Sequence, residues 1–267
     1  MTNLICRLCA APLIETFCDL GQSPLANSYP ETIDIAKNEV YFPLHVRVCT
    51  ECHLAQLPEL ETAQNIFRNY MYFSSYADGW VEHCKAFANT ATKRFGLSPQ
   101  HQIVEIASND GCMLSAFRDH GANILGVEPA SNVAKVALEN GIPTHIGFFD
   151  SALASILSDR GHSADLLIAN NFLGHVPNLN EFVLGLSILL KPAGILSIEF
   201  PSLLQLILEN QFDTIYHEHF SYFSLLTAEQ ALNRFGLKIF DVEDLTTHGG
   251  SMRIYAHHAS DLSLIHI

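Results

Sequence analysis

Ile103-Val104-Glu105-Ile106-Ala107-Ser108-Asn109-Asp110-Gly111 is the stretch on which the reading of the fold turns. Its first five residues have the near-continuous apolar character of a strand buried on both faces. The Ser-Asn-Asp-Gly that follows is a run of turn formers leading into a helix over about residues 112–120. The same unit then recurs. Residues 123–128 form a strand followed by a helix over 134–140, and residues 144–148 a strand followed by a helix near 152–157. Residues 165–169 form a strand followed by a helix over 181–190, and residues 195–200 a fifth strand. Residues 238–242 and 252–256 read as two further strands joined by a short turn, which pair antiparallel. Strands alternating with helices predict a doubly wound α/β sheet, with five parallel strands joined by crossovers and closed by a hairpin.

The rest of the composition suits such a sheet. The chain has 267 residues, 48% hydrophobic and 16% charged, with 17 Phe and 8 Tyr, which is ample for a packed core and excludes disorder. Its length fits one large domain with a small appendage. Its 28 acidic and 14 basic residues give a net charge of −14, a field that repels polyphosphate backbones and argues against nucleic acid as a partner. No signal peptide reads out at Met1, and no uncharged run is long enough to span a bilayer, so no membrane partner is expected and the expected compartment is the cytoplasm.

Four of seven cysteines fall in two Cys-x-x-Cys pairs, Cys6/Cys9 and Cys49/Cys52. Two residues between cysteines let both thiolates of a turn reach one ion, and two such turns complete a closed tetrahedral shell of the structural zinc kind. The residues between the pairs, with Gly21, Pro24, Pro30 and Pro43, read as loops and short strands. A redox dithiol is the rival reading, and His45 and His53 are neighbouring alternative ligands. Cys18, Cys84 and Cys112 read as ordinary thiols.

Ligands of doubly wound sheets sit at the carboxyl ends of the strands. The first turn has one glycine, Gly111, where a dinucleotide fold needs three, and Ala107 and Asn109 fill glycine-like places. Asp110 adds negative charge where a phosphate would sit. This disfavours NAD and suits a cofactor with an ammonium and no phosphate, of which S-adenosylmethionine is the common one. Glu128 ends the second strand, where an acid can accept both ribose hydroxyls. Phe148 and Phe149 end the third and offer a wall against adenine, with core packing as the alternative. Asn170 and Asn171 end the fourth, near the position of the sulfonium.

Residues 213–224 read DTIYHEHFSYFS. An extended segment puts Tyr216 and Glu218 on one face and His217 and His219 on the other, whereas a loop can bring Tyr216, Glu218 and His219 together. Imidazole suits proton abstraction near neutrality, and a neighbouring carboxylate can orient it, so a general base is favoured over a metal site lacking helical His spacing. Tyr70-Met71-Tyr72-Phe73-Ser74-Ser75-Tyr76 is a second aromatic cluster, read as a pocket lining or as linker packing. His175 reads as orienting the turn after the fourth strand, and Arg253 as one candidate donor to a diphosphate or as a solvated strand residue.

Taken in order, the two Cys-x-x-Cys pairs, Tyr-x-Tyr-x-Ser-Ser, Glu-Ile-x-Ser-Asn-Asp-Gly, Gly-Val-Glu-Pro, Ala-Asn-Asn, Tyr-His-Glu-His-Phe-Ser-Tyr and His-Gly-Gly-Ser-Met-Arg resemble the sugar C-methyltransferases over essentially the whole chain. The resemblance implies a zinc module (1–68), a Rossmann-like S-adenosylmethionine domain (69–260) and a further C-terminal domain that helps hold a nucleotide sugar. That third domain would begin beyond residues 248–251, whereas the chain ends at Ile267. Residues 261–267 read as a tail whose last six resemble a translated sequencing-library adaptor. By position, the resemblance assigns zinc to Cys6, Cys9, Cys49 and Cys52. It sets Glu105, Ser108, Asn109, Asp110, Gly111, Glu128 and Asn170 around the methyl donor. It makes His219 the base with Tyr216 and Glu218 beside it, and closes the pocket with Tyr70 or Tyr72. The implied reaction is C-methylation beside the keto group of a nucleotide-linked 4-keto deoxysugar by a monomer or weak oligomer. An O- or N-methyltransferase of another small molecule, or a non-catalytic zinc-ribbon protein, is the alternative.

Overall fold

The computed structural model describes residues 4–62 and 70–261. Five strands, β4 (Gln102–Ile106), β5 (Asn123–Glu128), β6 (Thr144–Ile146), β7 (Ala164–Asn170) and β8 (Leu190–Pro201), run parallel, as the alternation predicts. β10 (Leu237–Leu245) and β11 (Ser251–His258) form the expected hairpin, and β11 pairs antiparallel with β8. The order across the seven strands is β10-β11-β8-β7-β4-β5-β6. Because β4 has β5 on one side and β7 on the other, strand order reverses there and a crevice opens at the carboxyl ends.

Side-chain alternation divides the core in two. Val104, Ile106, Leu167 and Ala169 point into one cluster with α5 (Ser151–Asp159), α6 (Leu179–Leu189) and α8 (Leu225–Asn233). Ile103, Leu166 and Ile168 point into the other, with α2 (Asp78–Phe95), α3 (Cys112–Asp119) and α4 (Ser131–Glu139). β4 and β7 are thus buried on both faces, and their continuous apolar runs follow from that. The 18-residue α2 has no counterpart among the sequence expectations, since its buried stripe is only Cys84, Phe87, Ala88 and Ala91. Among the described residues no helix is long and apolar enough to cross a membrane.

The N-terminal region forms β1 (Glu15–Ser23), the short α1 (Ile33–Lys37), β2 (Phe42–Val48) and β3 (Ala55–Gln56). This small sheet takes its fourth strand, β9 (Ser221–Tyr222), from the histidine-rich segment. Cys6, Leu8, Cys49 and Leu54 belong to the same buried cluster as α5, α6 and α8. Arg7 reinforces the junction, donating to Ser221 Oγ at 3.2 Å and to the Leu57 carbonyl, while Asn180 of α6 donates to the Arg7 carbonyl at 3.0 Å. Residues 1–3, 63–69 and 262–267, which include most of the expected tail, lie outside the described residues.

Candidate active site

Three alternate residues of the turn after β4 have left-handed backbone: Ala107 (φ 57°), Asn109 (φ 50°) and Gly111 (φ 80°). The first two are the glycine-like places of the sequence reading, and Ala107 bears the larger steric cost for its conformation. A Cβ at Gly111 would lie 2.8 Å from Ile142 Cγ1, so no other residue fits without a shift. At the end of β5, Glu128 accepts from the Asn109 and Ala130 amides at 2.9 and 2.8 Å. Burial nevertheless pushes its carboxyl up to about 7. Burial also raises Glu105 well above the carboxylate range, with Cys112, Glu128 and Asp110 nearby adding to the effect. Three acids thus crowd one turn without a basic partner among the described residues, an environment that a cationic ligand would relieve and a pyrophosphate would aggravate.

A cavity of about 620 Å³ opens at these strand ends, a volume suited to a small ligand. Asn109, Glu128 and Ala130 line one end of it, and Asn170 and Asn171 its middle. Both amide atoms of Asn170, and Oδ1 of Asn171, are buried with no hydrogen-bond partner among the described residues, although each is polar and faces the cavity. Orphaned groups of this kind mark where a polar ligand docks. Unpartnered amides beside an acid at the end of the second strand fit the amino-acid and ribose portions of S-adenosylmethionine.

Residues 70–76 cross over this end as a strap. Asn109 Nδ2 donates to the Tyr72 carbonyl at 3.0 Å, and the Ser74 amide donates to Asn109 Oδ1 at 2.9 Å. The Ser75 amide donates to Asp110 Oδ2 at 3.0 Å, while Asn132 Nδ2 donates to the Tyr70 carbonyl at 2.7 Å. Tyr70 and Tyr72 both line the cavity, their rings 6.5 Å apart.

At the far end, residues 216–218 form a turn and the segment is not extended. His219 Nδ1 lies 2.7 Å from the Thr214 carbonyl oxygen. That oxygen can only accept, so Nδ1 carries the proton and Nε2 keeps its lone pair. Burial lowers the His219 pKa to about 4, leaving the imidazole neutral at pH 7. Its ring is 4.0 Å from that of Tyr216 and 4.7 Å from that of His175, and all three line the cavity.

The four sulfurs of Cys6, Cys9, Cys49 and Cys52 all lie within 4.8 Å of one another. Cys6–Cys52 and Cys9–Cys49 separations of 3.5 and 3.4 Å are close to the edge of about 3.8 Å expected for a tetrahedron with 2.3 Å zinc–sulfur bonds. Both turns are built alike. The amides of Ala10 and His53, each in left-handed conformation, donate to the carbonyls of Cys6 and Cys49 at 2.9 Å. Gln56 Nε2 donates to Cys6 Sγ at 3.1 Å, the kind of outer contact that orients a thiolate ligand. Zinc fits this donor set. His45 instead bonds Thr16 Oγ1 at 2.8 Å.

Several expectations need correction. Phe148 and Phe149 do not line the cavity: Phe148 is exposed, and Phe149 packs on Phe182 with rings 5.7 Å apart. The strand before them ends at Ile146, which carries both rings past the crevice. Glu105 lies in β4 and Ser108, Asp110 and Gly111 in the turn after it, all buried, and none of the four lines the cavity. Glu218 does not orient His219. It accepts from Asn27 Nδ2 at 2.8 Å, and the Thr214 carbonyl takes the orienting role. His217 turns away, its Nε2 3.2 Å from the Pro43 carbonyl. Arg253 is neither solvated nor a free donor: it is buried and paired with Glu199 at 2.6 Å and Glu243 at 3.3 Å. His175, for which orienting the turn is the reading favoured over a chemical role, walls the cavity beside His219. Trp80 and His248 also line it and were missed, since neither sits at the end of a parallel strand.

Comparison with known proteins agrees with this architecture. Residues 6–67 match a family described as a zinc binding domain, and residues 80–242 match one described as a methyltransferase domain. C-methyltransferase NovU of Streptomyces niveus is 35% identical over 251 residues, which is 94% of this chain and 60% of that protein. The chain therefore spans about 60% of the length of this curated relative. Among solved structures, magnesium protoporphyrin IX methyltransferase of Synechocystis with bound S-adenosylhomocysteine aligns with a TM-score of 0.52 at 15% identity, over 72% of this chain and 91% of its own. An S-adenosylmethionine-dependent methyltransferase of Clostridium acetobutylicum also aligns with a TM-score of 0.52, at 12% identity over 67% of this chain and 92% of its own. Likeness at these identities concerns the fold. With the matched domain spanning most of the sheet and the crevice at its switch point, the chain belongs to the S-adenosylmethionine-dependent methyltransferase-domain family, with an N-terminal zinc-binding domain.

Proposed function

We propose that this chain is the donor- and base-carrying part of a C-methyltransferase that acts on a carbon next to the keto group of a nucleotide-linked 4-keto deoxysugar. The observation that carries this reading is the tautomer of His219. Its Nδ1 is committed to the Thr214 carbonyl, so Nε2 is a half-buried, neutral base within the same cavity as the unpartnered Asn170. An O- or N-methyltransferase has no carbon acid to deprotonate, whereas a 4-keto group acidifies its neighbouring C–H. The 35% identical relative is named a C-methyltransferase, which supports the same class.

His219 Nε2 takes the proton from that carbon, the C–H pair moves into an enolate, and its oxygen accepts a hydrogen bond. Tyr216, whose hydroxyl burial keeps protonated, is the candidate donor. Glu128, Asn109 and Asn170 would hold the methyl donor, with Tyr70 and Tyr72 over it. When bound, S-adenosylmethionine supplies the electrophilic methyl carbon that the enolate carbon takes up. Burial of His219 keeps water from competing for the proton.

The test is incubation with methyl-labelled S-adenosylmethionine and thymidine-diphospho-4-keto-6-deoxyglucose. Expected is label in a new carbon-bound methyl group, seen by carbon NMR. Label on oxygen or nitrogen would overturn the assignment.

A further inference from the structure

A nucleotide-linked sugar reaches His219 trailing its diphosphate out of the cavity, and the protein carries a net charge of −14. Among the described residues lining the cavity there is neither a lysine nor an arginine. Arg253, a buried guanidinium of the neighbouring sheet, is neutralised by Glu199 and Glu243, and Arg7 is committed to Ser221 Oγ and the Leu57 carbonyl. Three lining side chains are imidazoles that can donate a hydrogen bond, His175, His219 and His248, and burial lowers the pKa of each. His175 is buried, and His219 is half-buried with its Nδ1 committed to Thr214. His248 alone stands exposed at the mouth.

The fold goes to some length to hold His248 there. Its backbone is left-handed, with φ 51°, between Thr247 and Gly249. Thr247 Oγ1 donates to Glu199 Oε1 at 2.9 Å, and Glu199 Oε2 is shared by Arg253 at 2.6 Å and His83 at 2.8 Å. Trp80 stacks on His83 with centroids 4.9 Å apart and meets the His248 ring edge-on at 5.5 Å. On the other side Gln211 Nε2 donates to the Gly249 carbonyl at 2.6 Å, and a Cβ at Gly249 would lie 2.8 Å from that nitrogen. A strained residue pinned from both sides at a cavity mouth is the pattern of a ligand contact, not of a free loop.

We propose that His248 contacts the acceptor, donating from its imidazole to the anionic phosphate that links the keto sugar to its nucleoside. This rests on the acceptor class proposed above. A charge-assisted hydrogen bond of this kind fixes the sugar's depth in the cavity, which sets the reacting carbon against His219.

Calorimetric titration of the full chain, saturated with S-adenosylhomocysteine, tests it with two probes: thymidine-diphospho-4-keto-6-deoxyglucose and the uncharged methyl glycoside of the same keto sugar. His248→Gly keeps the left-handed backbone and so leaves the loop intact. Expected is weakening of about tenfold or more for the diphosphate probe, with affinity for the uncharged glycoside and for S-adenosylhomocysteine within twofold of the unsubstituted protein. Equal affinity for the diphosphate probe overturns the role of His248 while leaving the acceptor class standing. Parallel loss for both probes overturns it as well. Failure of the unsubstituted, S-adenosylhomocysteine-binding protein to take the diphosphate probe overturns the acceptor class and the inference together.

Discussion

At His219 a backbone carbonyl does what a carboxylate does for many imidazole bases: the Thr214 oxygen fixes the tautomer, and burial holds the pKa at about 4. Its protonation therefore leaves no mark on the reaction near neutrality. Proton abstraction should be level from about pH 6 to 8, where an unperturbed histidine would give a limb near 6.5, as a pH profile of kcat would show. The same shift bears on stability. Between about pH 6.5 and 4 the unfolded chain holds a proton on this imidazole and the folded chain does not, so the His219 contribution falls as pH drops through that window. Glu128 has the opposite sign. Its folded pKa of about 7 means that part of it is protonated at neutrality, and ribose hydroxyls bind its ionised form. Affinity for S-adenosylhomocysteine should weaken as pH falls below 7, and Glu128→Gln should flatten that dependence; an unchanged slope in the variant would assign the proton elsewhere. Sequence singled out Glu128 by its strand-end position and His219 by its place in the histidine-rich segment, and both line one cavity. It misassigned the partner of His219, because a backbone carbonyl five residues back leaves no trace in side-chain pattern, whereas Glu218 is conspicuous and faces Asn27.

Strand pairing ties the zinc knuckles to the loop carrying His219. β3 pairs with β9 through Ala55 and Tyr222, three residues beyond His219. Removing zinc with a chelator should therefore raise amide hydrogen exchange in residues 216–222 as well as around the cysteines, and exchange confined to the knuckles would contradict this coupling. Gly111→Ala should cost roughly 1–3 kcal/mol in a thermal or urea melt, since positive φ and a Cβ against Ile142 both oppose it. Arg253→Met leaves Glu199 charged and buried with only His83 and the Thr247 hydroxyl as partners, and about 3–5 kcal/mol of destabilisation is expected. The parallel strands were legible because each is a continuous apolar run closed by turn formers. β9 was not, since a two-residue strand has no periodicity to read. α2 escaped notice because its buried stripe is built from alanine, cysteine and a single phenylalanine.

On the scale of the whole molecule, one crevice gathers the ends of β4, β5, β7 and β8, the strap at residues 70–76 and the loop carrying His219. The two sequence features that looked most separate, a cysteine module and a histidine-rich segment, share a sheet, and that contact arises only once the chain folds. The role proposed for Nε2 of the half-buried His219 is to remove a proton from carbon. It is tested most directly by proton NMR of the keto-sugar nucleotide in heavy water, with the protein and S-adenosylhomocysteine present so that no methyl transfer can follow. The account predicts that the signal of the hydrogen next to the keto group fades by solvent exchange, and that His219→Asn slows this by about a hundredfold or more while its affinity for S-adenosylhomocysteine stays within twofold. Exchange at an undiminished rate in His219→Asn would contradict it.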